Sequence, residues 1–173
     1  MSKLTKIIFF ALLGLLITAI VGAYATMPHG RRLHEVEINF PSKHLSKDQL
    51  LSFIDGDFTV VRDIRQLPDP VLQSHTENGG SRLVMANPGK GFEATDYIAD
   101  SSLPRKRLIF AAVSKDKCIV SYEQGGYAHT FNIALFRLKS NTAEPVWRGF
   151  CWAKDLDTLR QSVANGNCKT DGE

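Results

Sequence analysis

The chain has 173 residues, of which 43% are hydrophobic, 23% charged and 9% aromatic. This composition excludes a disordered tail protein, a collagen-like repeat and a polytopic membrane protein, and it fits one domain of ordinary size. Net charge is +3, and Lys3 and Lys6 precede an uncharged run, so the remainder sets 19 basic against 18 acidic residues, too close to neutrality to attract nucleic acid in general.

Residues 1–6 form a basic start, and residues 7–26 (IIFFALLGLLITAIVGAYAT) follow without a single charge. A helix over this run is apolar on every face and belongs in a bilayer or a translocon. About 20 apolar residues cross about 30 Å of hydrocarbon, so the length favours an uncleaved signal-anchor. The alternative is a cleavable signal peptide cut after Ala25, because Ala23-Tyr24-Ala25 supplies an A-x-A site. Lys3 and Lys6 hold the N-terminus inside in either case, which places the following domain on the extracytoplasmic side; Arg31 and Arg32 weaken that placement. The bilayer is thus the expected partner of residues 7–26, and a cut chain would be secreted or periplasmic.

Residues 27–34 read as a tether with Pro28, Gly30 and two arginines. His29, His34 and His44 lie near one another, but their spacing fits no metal-ligand pattern, so they read as surface histidines. The pattern then predicts an α+β domain over residues 35–168. Glu35 to Phe40 alternates as a half-buried strand. A helix over Lys47 to Asp55 opens on a capping box, Ser46 with Gln49, and on a Leu45–Leu50 staple; Gly56 stops it. A strand is expected within Asp57–Ile64, and Asp69-Pro70 opens a short helical turn. His75–Ser81 is a loop, Arg82–Ala86 a short strand, Asn87–Gly91 a turn, and Phe92–Pro104 mostly loop with a short strand.

Four extended runs follow: Arg107–Ser114, Lys117–Gln124, Tyr127–Leu138 and Pro145–Ala153. Lys115-Asp116 and Gly125-Gly126 suit two-residue hairpin loops. In that register Val113 opposes Cys118 and Ala111 opposes Val120, while Gln124 opposes Tyr127 and Tyr122 opposes His129. One apolar face then gathers Ile109, Ala111, Val113, Cys118, Val120, Tyr122, Phe131, Ile133 and Leu135. LKSNTAEP reads as a loop before the last strand, with Trp147, Phe150 and Trp152. A final helix over Leu156–Ala164 is capped by Asp155 and stopped by Asn165-Gly166, and residues 169–173 read as a flexible tail. The fold expected is an antiparallel meander of four or more strands covered by one or two helices, preceded by the membrane or signal helix.

The catalytic constellations fail in this register. Cys118 lies about 13 Å from His129, far beyond a thiol and its base, and reads as a packed core thiol. Glu123 and His129 point to opposite faces. Gly89-Lys90-Gly91 lacks the rest of a phosphate loop, and Trp147 and Trp152 read as core. The short basic clusters Arg31-Arg32 and Arg105-Lys106-Arg107 lack interleaved aromatics, so nucleic acid is not an expected partner. No cofactor motif is present. Cys118 and Cys151 straddle a strand, too far apart to bridge, whereas the last helix can return Cys168 to Cys151. That bridge would close a loop of about 17 residues and contribute about 3 kcal/mol. The reading is a membrane-anchored or exported domain that binds a protein or a small ligand without catalysis. The alternative is a small hydrolase assembled from loops, for instance from Asp96, His75 and Ser81.

Overall fold

The computed structural model describes residues 40, 44–74, 84–97, 100 and 102–171, all within the unit Leu33–Glu173. The membrane or signal helix of residues 7–26, the tether, the 35–40 strand apart from Phe40, and the 75–81 loop lie outside the described residues. Among the described residues no helix is long and apolar enough to cross a membrane.

Helix α1 is Lys47–Ile54. Its capping box forms as expected: Ser46 Oγ accepts from Gln49 N at 3.2 Å, and Gln49 Oε1 accepts from Ser46 N at 2.9 Å. Leu50, Phe53 and Ile54 are buried, Leu45 packs beside them, and Gly56 leaves the helix at φ 117°. Strand β1 covers only Thr59–Val61. After it, Asp63 caps a 3-10 turn, Ile64–Gln66, and Pro70 sits in the first turn of α2, Asp69–Gln73.

The sheet is β1, β2 (Lys106–Val113), β3 (Lys117–Gln124), β4 (Thr130–Lys139), β5 (Thr142–Phe150) and β6 (Lys169–Thr170), in sequential order with every neighbour antiparallel. The first hairpin has the predicted register, with Val113 opposite Cys118 and Ala111 opposite Val120. A bulge follows, because Leu108 opposes Tyr122 while Phe110 opposes Ser121. The extra residue, Ile109, therefore leaves the Ala111 face on which it was expected.

The second hairpin differs from expectation. Gln124 opposes Thr130, not Tyr127, so the loop is Gly125–His129. The shift of three positions is odd, and an odd slip turns a strand over. Cys118, Val120 and Tyr122 accordingly oppose Phe136, Ala134 and Asn132, and Phe131, Ile133 and Leu135 lie on the other face. Gly125 is not free to form the turn. Its N–H donates to Arg105 O at 2.8 Å, and a Cβ there would overlap Glu93 O and Ala94. The residue is glycine because another backbone crosses it.

LKSNTAEP is a hairpin and not a loop: Lys139 opposes Thr142 around Ser140-Asn141. Pro145 is tolerated because the register breaks beside it, with Leu135 opposite Trp147 and Phe136 opposite Pro145. The Asn87–Gly91 turn forms as expected, with Lys90 N donating to Asn87 O at 3.0 Å and Gly89 at φ 74°. The strand expected at 82–86 reduces, among the described residues, to one parallel bridge between Ala86 and Arg107, and the described part of 92–104 holds no strand.

Helix α3 spans Leu156–Ala164 as predicted, with Asp155 Oδ1 accepting from Thr158 N at 2.8 Å and Gly166 past its end at φ 71°. Lys169–Thr170 pair with Phe150 and Gly149, where a flexible tail was expected. Gly149 makes this possible, since a Cβ there would overlap Lys169 O and the Trp147 ring.

Both faces of the sheet are buried. Leu50, Phe53, Ile54, Leu156, Leu159 and Val163 of α1 and α3 cover Phe110, Ile119, Ile133, Leu135 and Trp147. Leu67, Val71 and Leu72 cover Leu108, Ala111, Cys118, Val120 and Phe136 on the other side. The expected α+β meander is present, but with two apolar faces in place of one.

Candidate functional site

The antiparallel order sorts the connections. The tight Lys115-Asp116 and Ser140-Asn141 turns lie at one end of the sheet. At the other end lie the chain before β2, the Gly125–His129 loop and the Cys151–Asp155 segment. We call these the hairpin end and the loop end.

The loop end carries a buried carboxylate between an arginine and a histidine side chain. Glu123, 8% exposed, stands opposite Arg107, whose Nε donates to Glu123 Oε1 at 2.6 Å. His129 Nε2 lies 2.9 Å from Glu123 Oε2, with its ring between Phe92 and Phe131 at centroid distances of 5.8 and 5.1 Å. Arg107 also donates through Nη1 to Lys90 O at 3.1 Å and covers the Phe92 ring at 4.2 Å. The expectation that Glu123 and His129 point apart is therefore corrected. The longer loop leaves His129 outside the strand, free to fold onto Glu123.

Such a cluster can hold an imidazole in a fixed orientation, which is half of an acid–base pair. Among the described residues His129 has no hydroxyl or thiol hydrogen-bonded to it. Cys118 is fully buried in the opposite core, and burial pushes its thiol up to about 12, so it is no nucleophile at neutral pH. Asp96 uses its carboxylate on the N–H of Tyr97 at 2.9 Å, while His75 and Ser81 lie outside the described residues. No group of three His, Cys, Asp or Glu among the described residues could hold a metal.

The segments of the loop end carry three exposed large aromatics. Tyr127 is 98% exposed at the loop tip, Tyr97 77% and Trp152 55%. Trp147 is core as expected; Trp152 is not. Cys151 and Cys168 stand at disulfide distance, with Cα atoms 4.5 Å apart. Cys151 N donates to Phe131 O of β4, and Cys168 holds the same residue from the chain after α3, so the start of the segment carrying Trp152 is fastened at two points.

Other polar groups here serve the fold. Glu93 is buried and accepts from Asp100 N at 2.6 Å. Hydrogen bonds from Ser102 hold the Asp100 carboxyl below its ordinary value. Asp63 is held well below the usual carboxylate range, chiefly by its hydrogen bonds with Arg65, and it also accepts from Asn87 Nδ2 at 3.2 Å.

The sequence reading missed Arg107, Phe92 and Phe131 as site residues. The available signal was the opposite charge of Arg107 and Glu123, but without the bulge Arg107 would face Gln124. Comparison with known protein families, curated proteins and solved structures finds no match.

Proposed function

We propose that this chain is a membrane-anchored or exported α+β domain that acts as a non-catalytic binding module, with a protein partner docking on its loop end. The observation that carries this reading is Tyr127, almost wholly exposed on a loop whose base is fixed by the contact of His129 with the buried Glu123. An exposed aromatic on a rigid mount gives contact area at low entropic cost, and Tyr, Trp and Arg dominate binding hot spots. The run over residues 7–26 supports the bilayer as a second partner and an extracytoplasmic domain, or a secreted or periplasmic one after a cut at Ala25.

A photo-crosslinking residue placed at Tyr127 of the full chain in its own membrane tests the docking surface. A discrete adduct is expected from Tyr127 and none from Lys115 at the hairpin end. Equal labelling at both, or none at either, overturns the reading. Intact mass from separated membrane and soluble fractions tests the placement: an unprocessed chain in the soluble fraction removes it.

The second reading, a small hydrolase, is favoured by one observation, the Glu123–His129 pair. It requires turnover of simple esters or peptides that His129→Ala abolishes.

A further inference from the structure

The two edges of the sheet are finished differently. Toward one edge, Pro145 removes a donor from β5, the ladder register breaks beside it, and β6 pairs with the end of the strand. Such devices keep a sheet edge from pairing with another chain. Strand β1 at the other edge has none of them. Thr59-Val60-Val61 holds no charge and no proline, and its three pairs with β2 run without a break.

The register shows what this edge offers. Ser114 N donates to Lys117 O across the first hairpin, so Ala112, two residues back, also bonds toward β3. Val113 and Ala111 then bond toward β1, through their partners Thr59 and Val61. Val60, opposite Ala112, turns its N–H and C=O outward, and among the described residues neither has a hydrogen-bond partner. Its side chain is exposed as well, at 45%.

An outward donor and acceptor on one residue are self-complementary. A two-fold axis at Val60 sets its N–H on the C=O of the second Val60, and the reverse. Thr59 of each copy then stands opposite Val61 of the other. The ladder is β-branched throughout, which suits strand pairing, and it sets no charge against a like charge. Asp57 and Asp63 lie outside it, and Asp63 is engaged by Arg65.

We propose that the β1 edge is a docking surface for a second copy of this chain, joined antiparallel through Val60 so that two sheets become one. This contact does not depend on the partner at Tyr127.

Cysteine cross-linking of the full chain in detergent tests the register. Two Val60 positions paired across the axis have Cα atoms about 5.5 Å apart, within disulfide reach. Val60→Cys is expected to link copies on mild oxidation about tenfold faster than Gln161→Cys on the exposed side of α3. A mixture of Thr59→Cys and Val61→Cys should link across faster than either links to itself, because like positions lie about 8 Å apart. Sedimentation of the unaltered chain needs no substitution: a dimer is expected that grows with concentration. Val60→Lys should raise the concentration required by about tenfold. A wild-type chain that stays single at every concentration overturns the proposal. So does a Val60→Cys rate equal to that of Gln161→Cys, a dimer that Val60→Lys leaves unchanged, or self-linking of Thr59→Cys that outruns the mixture. A Val60→Cys product with the mass of a different protein overturns the second copy as the occupant.

Discussion

At the hairpin end, β2 turns into β3 and β4 into β5 through two residues each. At the loop end, the same strands are joined or entered by longer segments held together by side chains: Arg107 and His129 on Glu123, Asp100 on Glu93, and the Cys151–Cys168 pair. Short turns with local hydrogen bonds close the first end, and side-chain contacts across longer segments close the second. Chemistry-bearing residues therefore collect where the backbone alone does not define the structure.

Removing the Cys151–Cys168 link should produce the largest loss. The pair closes a loop of 17 residues, and opening it should cost about 3 kcal/mol in urea unfolding. The same sample reports the thiols: native chain should resist alkylation, denatured chain should take one label at Cys118, and reduced denatured chain three.

Gly125→Ala should come next, at about 2 kcal/mol, because a methyl group must push Glu93 and Ala94 away. Lys115→Ala at the hairpin end should stay within about 0.5 kcal/mol. Equal losses at both sites would erase the contrast between the ends.

Glu123→Gln should cost about 1–2 kcal/mol, less than a fully buried pair, since the Arg107 and His129 side chains are 28% and 42% exposed. Hydrogen exchange should accelerate over 125–129 and not around Ser140-Asn141.

The smallest effect is the response to acid. Asp63 and Asp155 are held below their ordinary values, by hydrogen bonds with Arg65 and with Thr158 respectively. A lowered folded pKa means that the unfolded chain takes up protons first. The stability these groups confer is therefore complete above the unfolded carboxylate value, about 3.9, and fades as pH falls toward the folded values. Unfolding temperature should drop below about pH 4, and Asp155→Asn, which keeps a capping oxygen, should flatten its share of that drop.

Elements with local signals were legible in the sequence. Ser46 with Gln49, Asp155 with Asn165-Gly166, and Lys115-Asp116 each gave a helix or a hairpin that forms as read. The β4 register was not legible, and the reason is physical. Residues 132–136 are buried on both faces of the sheet, so alternation carries no mark of which face is which. With two cores, an odd slip leaves the apolar count of each face plausible. Gly125-Gly126 compounded the error, because glycine required by a crossing backbone looks like glycine required by a turn. The candidate site was lost with the register: Glu123, Arg107 and His129 meet only after one bulge and one longer loop, neither of which has a local signature.

The strictly sequential order of the sheet bears on how the chain is made. From β2 onward each strand lies against the one synthesised just before it. A growing polypeptide can thus add ribbon to ribbon without waiting for a distant partner, and such nearest-neighbour pairing is the quick kind. The last two-residue rung, Lys169–Thr170, is synthesised after everything it rests upon, so Cys168 beside it can meet Cys151 only once the strands before it have been made.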